Sequence, residues 1–154
     1  MVTTEQQLQA DLLLAGIIRA IGLMSLLAMV AVCHIYAQQI QLGIDESTRI
    51  WIRSILYGVA IVTFPVMKFI RHVLLRLNQT MKGDLAPKVR YLLTIIVSMS
   101  VAESIGLYGF IMYILGDSFN TLYIFVALSA LAMFLYRPQI EEYKMVVASQ
   151  YMRG

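Results

Sequence analysis

Glu103 is the side chain of this chain best placed to do chemistry, because it stands alone in an apolar setting. Between Tyr91 and Leu115 it is the only charged residue. About thirteen residues separate it from Arg90 and from Gly116, roughly 19 Å of helix on either side. Carboxylates at the centre of a membrane helix cost about 2.5–3.5 kcal/mol on insertion scales, and they commonly mark proton or ion handling. Two bland readings stand beside that one. Glu103 is a helix-packing hydrogen bond, or it is half of a buried ion pair with Arg19. Arg19 lies eight residues beyond Asp11 on a first helix that runs the same way as the third. A bidentate pair would hold the carboxylate ionised and lock the two helices together. The other reading of Arg19 is that it snorkels to the interface.

The run Glu103-Ser104-Ile105-Gly106-Leu107-Tyr108-Gly109 resembles the ion-binding helix of rotary ATP synthase c subunits, the proteolipids. In that family the ion-carrying carboxylate is followed five residues later by Tyr and then often by Gly. Lys88-Val89-Arg90 is similar to the family's loop-to-helix junction, and sodium-binding members place a hydroxyl directly after the acid, as Ser104 stands here. The resemblance implies Glu103 as carrier of a proton or sodium ion. It implies Ser104, Tyr108 and the Val101 carbonyl as supporting ligands. It is confined to helix three. Helix two has only Gly58 where the family has a glycine repeat, and Asn78-Gln79-Thr80 stands where the family has its Arg-Gln/Asn-Pro turn.

Ser98, Ala102 and Gly106 recur every four residues beside Glu103. Such a stripe lets a second helix approach closely, either within the chain or from another protomer. The remaining reactive residues carry less. His34 and His72 fall near opposite ends of their helices, so they cannot share one haem. Cys33 is the only cysteine, which leaves no disulfide and no Cys/His metal spacing. No nucleophile–base or phosphate-loop motif is present. A non-enzymatic protein is expected, without metal and with no cofactor beyond H+ or Na+.

The elements that position Glu103 follow from hydrophobic runs. Spans are expected at about 12–36, 50–74, 90–115 and 119–136, each long enough to cross a bilayer with some tilt. Thr4 and Gln7 have capping-box spacing, so helix one begins early. Pro65 predicts a kink in helix two. A linker covers 75–89, Gly116-Asp117-Ser118 forms a tight turn, and the tail 137–154 forms a short amphipathic helix on the membrane surface or an extension of helix four. The linker side carries Arg71, Arg76, Lys82, Lys88 and Arg90, and the tail Arg137, Lys144 and Arg153. The opposite side has only Arg49 and Arg53. That eight-to-two bias places both termini in the cytoplasm.

Composition agrees with a lipid solvent. Of 154 residues 60% are hydrophobic and 14% charged, far from the quarter or so charged that a soluble domain carries. The net charge of +3 and the absence of a basic stripe exclude nucleic acid as a partner. The expectation is one all-α integral membrane domain over 1–154, multi-pass, in a plasma or inner membrane. Its partners are the lipid bilayer and either further copies or a larger membrane complex. It binds a proton or sodium ion in a c-subunit-like or small ion-conducting role. The alternative is a structural or assembly subunit in which Glu103 is locked.

Overall fold

A computed structural model describes residues 5–80 and 85–152, and these form five helices without a strand: α1 Glu5–Ile35, α2 Glu46–Thr80, α3 Pro87–Ile114, α4 Phe119–Leu135 and α5 Ile140–Tyr151. Thr4, Lys82, Gly83 and Arg153 lie outside the described residues. α1, α2 and α3 are each long and apolar enough to cross a membrane. α4 has 17 residues, about 25 Å of rise against a hydrocarbon core of about 30 Å. It qualifies as a fourth span when taken together with α5, across a 49° bend. Three to four helices are therefore long and apolar enough to cross a membrane.

The helix limits differ from the sequence reading at two places. α2 does not end near residue 74 but continues to Thr80, so residues 75–80 of the expected linker 75–89 are helical. The continuation is tied to α3: Asn78 Nδ2 donates to the Arg90 carbonyl at 3.1 Å and to Thr94 Oγ1 at 2.7 Å. α2 also runs unbroken through Pro65. The tail is the second difference. α5 bends away from α4 by 49° and buries Tyr143 and Val146 against the protein, while Met145 and Tyr151 stay exposed.

α3 is the hub, packed against each of the other four helices. It starts at Pro87, where a missing N–H costs nothing, and stops at Gly116, whose φ of +88° only glycine adopts without strain. The Gly116 N–H bonds to the Tyr113 carbonyl and the Asp117 N–H to the Met112 carbonyl, a Schellman ending. Arg49 donates to the Gly116 carbonyl at 3.1 Å, and Arg53 reaches the buried Asp117 carboxylate at 3.2 Å. The two cations expected on the outer side thus hold the α3–α4 turn.

Large apolar side chains cover the outside of the bundle. On α2, Trp51 is 71% exposed, and Ile61 and Phe69 are each 68% exposed. A contiguous apolar belt of this kind is not stable in water and is at home in hydrocarbon. The protein is a membrane protein.

Candidate functional site

Glu103 is half-buried near the middle of α3, and among the described residues it has neither a hydrogen bond nor an ion pair. Its position around the helix follows from its neighbours. Gly106 abuts Leu26 of α1 and Lys88 reaches Asp11 of α1 at 2.8 Å, which marks the α1 side of α3. Glu103 is about 60° around from Gly106, at the margin between that side and the outward strip. The strip itself carries the exposed residues Val89, Leu93, Ile96, Ser100, Leu107 and Ile111. The carboxyl therefore stands at the edge of the apolar surface, outside the core.

The supporting residues lie elsewhere on the same helix. Val101, Ser104 and Tyr108 are about 100–160° around from Glu103, towards α2. Ser104 Oγ donates to the Val101 carbonyl at 2.7 Å, so those two satisfy each other. The Tyr108 ring meets Phe125 edge-on at 6.3 Å, and Phe125 stacks on Tyr57 of α2 at 4.6 Å. Within one chain the four residues do not converge on a cation-sized cage. Among the described residues no group of three His, Cys, Asp or Glu side chains gathers around a metal-sized space either.

Arg19 is not brought to Glu103. Its Cζ lies 5.9 Å from the centroid of Phe134, near the α5 end of α4, where Arg137 also stacks on the same ring at 5.2 Å. Its guanidinium lies against this aromatic ring and not against the acid, which leaves the Glu103 carboxyl unlocked. The stripe Ser98, Ala102 and Gly106 is buried and filled from within the chain. Ser129 Oγ of α4 donates to the Ala102 carbonyl at 2.7 Å, and a Cβ at Gly106 would strike the end of Leu26. Its small residues serve α3's approach to α4 and α1.

Two polar clusters at the α5 end escaped the sequence reading. Arg71 is 5% exposed; it pairs with Glu142 at 2.6 Å and donates to the carbonyls of Tyr136 and Arg137. Tyr91 Oη donates to the same carboxylate at 3.2 Å and accepts the Gln139 N–H at 2.9 Å. Beside them, Asp11 takes Lys88 at 2.8 Å and the Tyr143 hydroxyl at 2.7 Å. Together they clasp α5 onto α1, α2 and α3. In sequence Arg71 and Lys88 are visible only as interfacial cations, because their partners lie some seventy residues away, a separation no local pattern encodes. Glu142 in the polar tail was the one available signal.

Compared with protein family models, with curated proteins and with solved structures, the chain shows no match.

Proposed function

We propose that this is a non-enzymatic, oligomeric membrane protein in which Glu103 takes up and releases a proton, as a small ion-conducting or c-subunit-like component. The observation that carries this reading is the unpaired, half-buried carboxyl midway along α3, at the margin of the surface the bundle presents outward. A group there is reachable from lipid or from a neighbouring protomer, whereas a carboxylate held by Arg19 would exchange nothing. A proton is favoured over sodium because it needs only the carboxyl, while Val101, Ser104 and Tyr108 face another way. Oligomers or a larger complex would supply the second wall of the site. The proposed setting is a plasma or inner membrane with both termini in the cytoplasm.

The reading is tested at Glu103 itself. A hydrophobic carbodiimide, which reaches carboxyls open to lipid, should modify the residue, and added sodium should not protect it. Glu103→Gln should assemble to the same native mass and lose proton flux in liposomes. An unreactive carboxyl together with a Glu103→Gln variant that unfolds would move the protein to the structural-subunit reading. Protection by sodium would keep the site and change the ion.

A further inference from the structure

Two guanidinium groups meet at one ring on the outside of the α1–α4 seam, and neither has an acidic partner among the described residues. Arg19 Cζ lies 5.9 Å and Arg137 Cζ 5.2 Å from the Phe134 centroid. The carboxylates nearest this end of the bundle are occupied. Asp11 holds Lys88, Glu142 holds Arg71, and Glu5 and Glu141 face Lys144. Arg19 Nε is the one buried side-chain nitrogen or oxygen without a hydrogen-bond partner among the described residues. A charged donor left unsatisfied is costly, and an anion that reaches the rest of the same guanidinium would offset part of that cost.

The surroundings say what kind of acceptor fits. α1 crosses α4 at Gly22, where a Cβ would meet the end of Met133 at 3.0 Å. Arg19 is one turn from that crossing towards the α5 end, and Phe134 is next to Met133. On the lipid side of Arg19 stand Gly16 and Ala20, both exposed, with open space where a Gly16 Cβ would be. Opposite them Leu131 and Phe134 form an exposed apolar wall, 48% and 53% exposed. The result is a shallow groove, apolar along its length and doubly cationic at its interfacial end. An acceptor with one or two anionic oxygens and an apolar remainder matches both halves. Arginine forks suit phosphate oxygens bidentately, and basic sites between membrane helices hold anionic headgroups.

We propose that Arg19 and Arg137, both beside the Phe134 ring, bind the phosphate of an anionic phospholipid whose acyl chain lies along the α1–α4 groove. The site is separate from Glu103 and does not depend on proton transfer there.

Native mass spectrometry of the detergent-solubilised protein tests it, titrating phosphatidylglycerol against phosphatidylcholine. Wild type should hold phosphatidylglycerol about tenfold or more tightly than the Arg19→Gln/Arg137→Gln double variant, the loss expected when about 1.4 kcal/mol or more of charged contact is removed. Arg137→Gln alone, at an exposed position, should fold normally and lose part of that preference. Arg76→Gln removes an exposed cation from the same end without touching the groove, and should bind as wild type does. Equal phosphatidylglycerol binding by wild type and Arg137→Gln, or an equal loss in Arg76→Gln, would overturn the proposal. Displacement of the lipid by inorganic phosphate at matching concentration would overturn its lipid half and leave a free-anion site.

Discussion

Asp45 illustrates how much a single exposed acid is shaped by its position. It stands just before α2, where its Oδ2 accepts the Ser47 hydroxyl at 2.7 Å and the Thr48 N–H at 2.9 Å. That is an N-cap, and it satisfies a donor the helix leaves open. Those bonds, the Ser47 hydroxyl first and the Thr48 N–H next, hold the carboxyl below its usual 3.8, at about 2. Because the folded value is the lower one, the cap's contribution is complete above pH 3.8 and is lost as pH falls through about 2. The Thr48 amide resonance should therefore titrate with a midpoint near 2 in wild type and stay still in Asp45→Asn, which caps without ionising. A midpoint near 4 would mean that the carboxyl is not engaged.

At the scale of the element, the same residue type has opposite value on α3 and α2. A Cβ at Gly109 would lie 2.7 Å from Phe125 Cβ and 3.1 Å from the Leu122 carbonyl oxygen. Backbone cannot step aside as a side-chain end does, so α3 and α4 would have to part. Gly58 on α2 has nothing within 4 Å of its would-be Cβ. Gly109→Ala should cost about 1–3 kcal/mol, the usual penalty of overpacking. Gly58→Ala should be neutral or gain up to about 1 kcal/mol from helix propensity. Unfolding temperatures in detergent check the pair, and a Gly109→Ala protein as stable as wild type would contradict the close α3–α4 approach. That approach also explains the small-residue stripe. It serves the contact inside one chain, so an oligomer would have to use another surface.

Across the whole molecule, charge separates along the bundle axis. Arg71, Lys88, Arg90 and Lys144 make their contacts at the α5 end, while Arg49 and Arg53 hold the α3–α4 turn at the other. The positive-inside rule leads to the proposed orientation, with the α5 end towards the cytoplasm. In a Cys33→Ala background, Ser118→Cys should react with an impermeant thiol reagent from outside intact cells. Gly83→Cys should react only after the membrane is opened. The reverse pattern would invert the orientation and put the proposed lipid site in the other leaflet. The clasp of Arg71, Tyr91 and Glu142 belongs to this scale as well, since it joins α2, α3 and α5 into one polar layer where the bundle leaves the hydrocarbon.

The existence of the helices was legible in the residues themselves. Apolar length and the Gly116 turn are local signals, and α3 and α4 begin and end within a few residues of where they point, whereas α2 runs on past its expected end. Rotation about each axis was not legible. In lipid the outward face of a helix is as apolar as its packed face, so hydrophobic pattern does not tell inside from outside. Only packing decided that Ala102 and Gly106 turn to α4 and α1, and that Glu103 stands at the outer margin with Val101, Ser104 and Tyr108 on another flank. The partners of Arg71 and Asp11 were hidden for a related reason. Each is matched by a residue far along the chain, and such a match exists only after the helices have met.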